Sequence, residues 1–243
     1  MSYILIIGAK SDIAKATAKE YAKHGYDLYL AARNSSELEE FATDVQLRSG
    51  VDAKLKEFDI AKFETHQVFY ESLEPKPLGV IVVAGYMAEQ KECQEDFTKT
   101  LNTINVNYTG AVSILNIVSN DMEKNKDGFI VGVSSVAGDR GRKANYIYGS
   151  SKAAFSSYLS GLRNRLYESG VKVLTVKPGF VATKMTEGLD LPEKLIASPD
   201  EVASDIYKAQ QKGKDILYTK WIWRWVMLVI KMIPEWRFKG MSL

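Results

Sequence analysis

The sequence is poor in the side chains on which metal sites and histidine-based catalysis depend. Its 243 residues include two histidines, His24 and His66, and a single cysteine, Cys93. A lone cysteine forms no internal disulfide and fits a reducing compartment. Neither a His-x-x-Glu-His nor a Cys-x-x-Cys pattern occurs, which argues against zinc, facial-triad iron or a histidine-based hydrolytic triad. We therefore expect no metal, and any acid–base chemistry must come from Tyr, Lys, Asp or Glu.

The chain also lacks a strong charge of either sign. Its formal net charge is +2, so nothing in the overall charge indicates a nucleic-acid partner. The apolar start runs directly into a polar helical pattern, without the features of a signal peptide. We expect a cytoplasmic protein.

Strand-like apolar runs alternate with amphipathic segments of helical length. Strands are predicted at 3–7, 28–32, 53–58, 80–83, 129–133, 171–176 and 216–218. Helices are predicted at 11–24, 35–48, 62–72, a long stretch reaching 123, 145–169 and 199–211. This alternation predicts the α/β class: a single-domain, Rossmann-type, doubly wound parallel sheet that binds ligands at the carboxyl ends of its strands. A C-terminal amphipathic helix follows, so we divide the chain into a catalytic domain, 1–219, and a tail, 220–243.

The first strand leads into a turn that fits a dinucleotide. Gly8 follows the strand, and the sequence continues Ala-Lys-Ser-Asp-Ile-Ala, with Asp12 and Ala14 where a full fingerprint would have glycines. A tight turn before a helix N-terminus is suited to a pyrophosphate. The candidate contacts are Gly8, Lys10, Ser11, Asp12 and Ile13, and Asp12 is expected to cap the helix.

The end of the second strand indicates which nicotinamide cofactor fits. It carries Arg33 rather than the acidic residue that would bind the ribose hydroxyls of NAD. Arg33 and Lys10 would hold a 2′-phosphate, so NADPH is favoured and NADH is the alternative. Asp59 and Ile60 follow the third strand, where an adenine ring would lie.

The segment Tyr-Gly-Ser-Ser-Lys places Tyr148 and Lys152 four residues apart, on one face of a predicted helix. An ammonium beside a phenol favours the phenolate, so this spacing suits either an acid–base pair or an ordinary polar pair on a helix surface. Ser135 ends the fifth strand, at the sheet edge where chemistry is expected. Asn107 lies in the long helix before it.

Together these motifs resemble the short-chain dehydrogenase/reductase family over the whole chain. The resemblance assigns Asn107, Ser135, Tyr148 and Lys152 to the family's catalytic tetrad. It implies hydride transfer from a nicotinamide to a carbonyl, with Tyr148 as acid and Ser135 as donor to the oxygen. Lys152 would lower the tyrosine pKa and hold the ribose, and Asn107 would position a water. The resemblance also implies a homo-oligomer.

The same resemblance assigns further residues to the cofactor. Pro178, Gly179, Val181 and Thr183 match the loop that holds the carboxamide. The family's Asn-Asn-Ala-Gly after the fourth strand is Val-Val-Ala-Gly here, which retains Ala84 and Gly85.

Two features bear on the substrate. Arg140, Arg142 and Lys143 lie between the catalytic serine and tyrosine, and such cations suit a substrate phosphate. The tail holds all four tryptophans and five Lys/Arg to one Glu, so it carries +4 while the remainder carries −2. Its apolar run is shorter than the about 20 residues that span a bilayer, and Pro234 should end its helix. We expect peripheral membrane contact, with burial against the body or a subunit interface as the alternative.

These features resemble one subgroup of the family, the decaprenylphosphoryl-2-keto-ribose reductases. That resemblance implies reduction of a polyprenyl-phosphate-linked 2-keto-pentose to the arabino sugar for cell-envelope glycans, with a flavin-dependent oxidase as partner and a location on the inner membrane face. One alternative is a membrane-associated reductase of ketoacyl, steroid or retinoid carbonyls. Another is a catalytically silent protein that senses dinucleotides.

Overall fold

A parallel sheet lies between two helical layers, which confirms the predicted fold class. The computed structural model describes residues 2–183 and 192–241. The main-sheet strands in these ranges are β1 (Tyr3–Ile7), β2 (Asp27–Ala32), β3 (Ala53–Glu57), β4 (Gly79–Val82), β5 (Phe129–Val133), β6 (Lys172–Pro178) and β9 (Ile216–Thr219). They pair in the order β3-β2-β1-β4-β5-β6-β9, and each neighbouring pair is parallel. The chain reverses its direction of winding between β1 and β4, so a crevice opens at their carboxyl ends. A short parallel pair, β7 (Phe180–Val181) and β8 (Ile196–Ala197), stands apart.

The helices cover both faces of this sheet. They are α1 (Asp12–Lys23), α2 (Glu39–Ser49), α3 (His66–Glu71), α4 (Gln90–Glu95), α5 (Phe97–Ile104), α6 (Gly110–Asn125), α7 (Tyr146–Arg165), α8 (Pro199–Gln211), α9 (Ile222–Met232) and α10 (Glu235–Phe238). Side chains of α1, α2 and α8 pack on one face, and those of α3, α6 and α7 pack on the other. Alternate residues of β1 supply both layers: Ile4 and Ile6 face the first, Leu5 and Ile7 the second. A strand buried on both faces has no polar alternation, which explains its continuous apolar run.

The main differences from the predicted helices lie in the long stretch before β5 and at the start of α1. The long stretch is divided into α4, α5 and α6, because the Asp96 carboxylate caps a new helix by accepting from the Thr98 N–H at 2.9 Å. A π-helical turn, Asn105–Thr109, then separates α5 from α6. The expected capping role of Asp12 is wrong: Ser11 is the N-cap, and its Oγ accepts from the Ala14 N–H at 3.2 Å. Asp12 is instead the first residue of α1, where a negative charge still favours the helix N-terminus.

The tail forms a helix where the sequence predicts one, and Pro234 follows its end. Trp223 and Met227 of α9 are buried and pack with Val136, next to the predicted catalytic serine. One face of the tail is therefore part of the body of the protein. None of the described helices is long and apolar enough to cross a membrane. The predicted tail's last two residues, 242–243, lie outside the described ranges.

The close approach of α7 to β5 generates a stability prediction. A Cβ added at Gly132 would lie 2.3 Å from Leu159 Cδ1 and 2.9 Å from the Phe155 ring. Gly132→Val should therefore lower the free energy of unfolding by about 1–3 kcal/mol, since overpacking forces side chains away from preferred rotamers. The measurement is denaturant unfolding followed by circular dichroism.

Gly161→Ala on the exposed side of the same helix is the matched control. A Cβ there meets no atom within 4 Å, and the substitution should raise stability by up to about 1 kcal/mol. Wild-type stability in Gly132→Val would contradict the prediction.

Candidate active site

The carboxyl ends of the central strands surround a cavity of about 260 Å³. Most of the predicted site residues line it: Lys10, Ser11, Asp12, Ile13, Gly85, Ser135, Tyr148, Lys152, Pro178, Gly179, Val181 and Thr183. Val83, Val133 and Ser134 complete the lining and were not predicted from the sequence. Residues from opposite ends of the chain thus meet at one site.

The glycine turn retains the backbone geometry although two of its glycines are missing. Gly8 has φ +87°, and a Cβ there would lie 2.6 Å from the backbone nitrogen of Ala84. A side chain at position 8 would separate the turn from the segment after β4, so this glycine is required. Ala14 is fully buried in α1, where a small side chain keeps the helix close to the sheet. The N-terminus of α1 consequently remains at the cavity.

Ser135 stands directly after β5 with an extended backbone. Its Oγ accepts a hydrogen bond from the Ala137 N–H at 3.1 Å. The Ser135 hydroxyl lies near enough to Tyr148 to oppose the rise that burial causes in the tyrosine pKa. The backbone contact fixes the orientation of the serine side chain toward the tyrosine. The two hydroxyls predicted to bind one carbonyl oxygen are therefore adjacent.

Lys152 lies one helical turn after Tyr148 on α7, and its side chain is buried. The ammonium donates to the Val133 carbonyl at 3.1 Å and lies 5.9 Å from the centroid of the Tyr148 ring. Burial disfavours charge on both groups, so it lowers the pKa of Lys152 to about 8 and raises that of Tyr148 to about 12. The expectation of a lowered tyrosine pKa is wrong for this structure, because burial outweighs the opposing effect of the Ser135 hydroxyl. At neutral pH Tyr148 is a protonated acid beside a cation.

Asn107 lies in the π-helical turn rather than in a regular helix. Its Oδ1 accepts from the Tyr86 N–H at 2.7 Å, while its Nδ2 donates to the Tyr86 carbonyl at 2.8 Å and to Ser151 Oγ at 3.0 Å. The amide therefore fastens the loop after β4 to α7. A role in positioning water stays a prediction.

Of the residues proposed for the adenosine half, Lys10 lines the cavity, whereas Arg33, Asp59 and Ile60 are not part of its lining. Arg33 is exposed directly after β2. Lys10 pairs with Glu37 at 2.8 Å and lowers the pKa of that carboxyl. Glu57 at the end of β3 accepts the N–H groups of residues 34 and 35 at 2.9 and 2.8 Å. Two carboxylates thus lie near the predicted phosphate-binding cations. They were not predicted, because they come from other segments of the chain.

Asp59 and Ile60 lie in the loop after β3 and have structural roles there. The Asp59 carboxylate accepts from the Ala61 N–H at 3.0 Å, which fixes the turn. Ile60 is buried, and its carbonyl lies so close to α6 that a Cβ at Gly110 would approach it to 2.0 Å. Contact of Asp59 and Ile60 with an adenine stays a prediction.

The basic loop contacts the tail. The Arg140 guanidinium donates to the carbonyls of Ile230 and Ile233, pairs with Glu235 at 2.9 Å and stacks over Phe238 at 3.6 Å. Arg142 Nη2 lies 3.0 Å from Met227 Sδ, and burial lowers the pKa of this guanidinium. Lys143 is exposed. Assignment of the three cations to a substrate phosphate stays a prediction, and two of them are engaged by the tail in this structure.

A buried ion pair that was not predicted from the sequence joins the loop after β5 to the end of β6. Asp139, four residues after Ser135, pairs with Lys177 of β6 and accepts from the Tyr218 hydroxyl of β9 at 2.8 Å. The Asp139 side chain is 3% exposed, so its charge depends on these partners. Loop 135–142 is thereby held against the Pro178 and Gly179 turn.

Trp223 of the tail covers the same turn. A Cβ added at Gly179 would lie 1.9 Å from Trp223 Nε1, and that nitrogen donates to the Leu195 carbonyl at 3.3 Å. The predicted carboxamide loop is therefore packed directly under a tail side chain. Burial of the Trp-rich tail against the body was only the alternative expectation from the sequence, and this contact was not predicted.

Comparison with known proteins agrees with this geometry. A family model described as short chain dehydrogenase matches residues 2–194. An uncharacterized oxidoreductase from Mycobacterium tuberculosis is 32% identical over 241 residues, covering 98% of this chain and 96% of its own length. One from Streptomyces coelicolor is 32% identical over 238 residues, covering 96% and 92%.

Solved structures share the fold at low sequence identity. A short-chain dehydrogenase from Sphingobium yanoikuyae in complex with NADPH superposes with a TM-score of 0.84 at 24% identity, covering 97% of each chain. A bulky-bulky ketone specific alcohol dehydrogenase from Comamonas testosteroni gives 0.82 at 20% identity, covering 97% of this chain and 96% of its own.

The depressed pKa of Lys152 generates a prediction about pH. Between about 8 and the ordinary value of 10.5, the folded site releases a proton that the unfolded chain keeps. Cofactor-free protein should therefore gain stability as pH rises through this window. One pKa unit corresponds to ~1.4 kcal/mol, so the gain is at most about 3 kcal/mol. Denaturant unfolding of wild type and Lys152→Met across this range measures it.

Lys152→Met should lose this gain, because it has no proton to release. Lys23→Met, at an exposed lysine on α1, should keep the wild-type pH dependence. Identical pH slopes for wild type and Lys152→Met would show that the ammonium is not destabilised by burial.

Proposed function

Because the chain belongs to the short-chain dehydrogenase family, we propose that it is an NADPH-dependent reductase that transfers a hydride to the carbonyl carbon of a ketone. The observation that carries this proposal is the convergence of Ser135, Tyr148 and the buried Lys152 on one cavity. These groups line one cavity with the Pro178 and Gly179 turn.

The residues present fit a nicotinamide dinucleotide. Gly85 lines the cavity, and a Cβ there would lie 3.5 Å from Lys152 Nζ and 3.6 Å from Asn107 Oδ1, so the absent side chain leaves space beside both groups. The N-terminus of α1, with Ser11, Asp12 and Ile13, would hold the pyrophosphate. Pro178, Gly179, Val181 and Thr183 would hold the carboxamide. When bound, the nicotinamide supplies the hydride.

The protein's part of the reaction is to bind the ketone oxygen and protonate it. The Tyr148 hydroxyl, protonated at neutral pH, donates its proton to the alkoxide as that oxygen gains charge. The Ser135 hydroxyl donates a second hydrogen bond to the same oxygen. The Lys152 ammonium favours the phenolate left on Tyr148 and so eases the proton transfer. Asn107 holds α7 and the loop after β4 in place for this exchange.

Two observations support NADPH over NADH. The carboxyl end of β2 carries the exposed Arg33 instead of an acidic residue. The Sphingobium protein of the same fold was solved with NADPH. In this proposal Lys10 exchanges its Glu37 partner for the 2′-phosphate. Glu37 and Glu57 are the features that favour NADH.

For the substrate, we propose a polyprenyl-phosphate-linked 2-keto-pentose, reduced to the arabino sugar after a flavin-dependent oxidase has formed the ketone. Three features support it: the exposed Lys143 in the segment between Ser135 and Tyr148, the apolar lining by Val83 and Val133, and the apolar tail. The alternative is a ketoacyl, steroid or retinoid ketone, which the fold shared with a bulky-ketone dehydrogenase favours.

Tyr148→Phe tests the chemistry. The variant lacks the proton donor, so we expect turnover to fall by at least about 10²-fold while NADPH binding, measured by fluorescence titration, stays within about twofold. The assay follows NADPH oxidation in mild detergent with the keto-pentose lipid and, separately, a ketoacyl thioester and a steroid ketone.

Tyr146→Phe, which removes a partly exposed phenol two residues earlier, is the matched control and should retain activity. Near-normal turnover in Tyr148→Phe would overturn the mechanism. NADPH binding by wild type without turnover of any ketone would favour the dinucleotide-sensing alternative.

Arg33→Ala tests the cofactor preference. Loss of a charged contact to the 2′-phosphate should raise KM for NADPH by about tenfold or more and leave KM for NADH nearly unchanged. Arg48→Ala on α2, where the guanidinium pairs with Asp44, should change neither value. Equal effects of Arg33→Ala on both cofactors would contradict the assignment.

A further inference from the structure

We propose that the exposed face of α9 docks on an anionic lipid surface while the opposite face of the same helix holds the active-site loops. This proposal concerns where the enzyme works and does not depend on which ketone it reduces. It specifies the part of the tail that meets lipid and the part that belongs to the body.

The residues of α9 fall into three sectors at 100° per residue. One sector packs on the body and consists of Trp223, Val226, Met227 and Ile230. A second is apolar and exposed, and consists of Ile222, Trp225, Leu228, Val229 and Met232. Arg224 and Lys231 form a cationic edge between these two. We call the second sector the outer face.

The outer face is too apolar to be an ordinary solvated surface. Trp225 is 56% exposed, Val229 63% and Met232 73%. Trp221 and Trp236, which flank the helix, are 72% and 70% exposed. A contiguous exposed patch of such large side chains marks an interaction site. Tryptophan at the rim is typical of membrane–water interfaces.

The positive charge of the tail favours an anionic partner. The tail carries five Lys/Arg and one Glu, and that carboxylate, Glu235, is paired with Arg140 of the body. In the described part of the chain, no ion pair engages the tail cations Lys220, Arg224, Lys231, Arg237 and Lys239. Basic residues near an anionic leaflet each contribute about 1 kcal/mol of attraction. A two-fold contact with a second copy would bring the same cations together without acids to meet them.

The sector of α9 that packs on the body links the outer face to the active site. Trp223 lies on Gly179, and Met227 packs beside Val136 and Arg142. Arg140 binds the last carbonyls of the helix. Docking of the outer face would therefore fix the orientation of the catalytic cavity relative to the bilayer.

Vesicle co-sedimentation of the full-length protein tests the proposal. We expect wild type to pellet with vesicles that contain phosphatidylglycerol and to bind pure phosphatidylcholine more weakly. The double variant Trp225→Ser, Val229→Ser should lower the affinity about tenfold or more, because it removes apolar area that enters the interface. Arg224→Gln with Lys231→Gln should reduce the difference between the two kinds of vesicle.

Leu47→Ser with Tyr167→Ser, at residues that are 82% and 80% exposed and lie outside the tail, is the matched control and should bind like wild type. Reduction of a water-soluble ketone by the Trp225/Val229 variant should be unchanged, which shows that its site is intact. Vesicle binding is read without turnover, so it remains informative even where no ketone is reduced.

Two outcomes would overturn the proposal. One is wild-type protein that fails to pellet with anionic vesicles. The other is a Trp225/Val229 variant that binds vesicles normally but changes from dimer to monomer in light scattering, which would assign the outer face to a second copy.

Discussion

The site depends on a cation that the fold keeps away from water. The Lys152 ammonium is buried at the carboxyl edge of the sheet, and its hydrogen bond to the Val133 carbonyl offsets part of the desolvation cost. It reaches that carbonyl because α7 packs unusually close to β5, where Gly132 leaves room for Leu159 and Phe155. Packing in the core therefore determines how near the lysine lies to Tyr148 and how far burial shifts the pKa of each group. The chemistry and the stability of this region share one cause.

Much of the architecture was predictable because it follows from periodicity. Apolar strands alternating with amphipathic helices leave few arrangements other than a parallel sheet. The four predicted catalytic residues followed from a resemblance, and the structure brings Ser135, Tyr148 and Lys152 to one cavity. From their spacing alone, Tyr148 and Lys152 could also form a polar pair on the helix surface. The burial of Lys152 and the position of both residues in the cavity lining exclude that interpretation.

Other features were not predictable because they depend on tertiary contacts between distant segments. Local sequence patterns do not predict that Glu37 and Glu57 lie near Lys10 and Arg33, because these residues come from separate segments of the chain. The π-helical turn at Asn107 arises where the amide binds the Tyr86 backbone, and a helical pattern does not reveal it. The contact of Arg140 with the tail spans some 90 residues of sequence, so a cluster of loop cations gave no indication of it.

The packing of Trp223 on Gly179 has a consequence for recombining this protein with its relatives. The family match ends at residue 194, whereas the Mycobacterium tuberculosis relative aligns over nearly the whole chain. A natural crossover point between a shared catalytic body and an exchangeable tail would therefore fall before α9. Such a junction would separate Trp223 from Gly179 and Arg140 from the carbonyls it binds. A functional chimera must inherit the tail together with loop 135–142 and the turn at 178–179, as one unit assembled from three distant stretches of the gene.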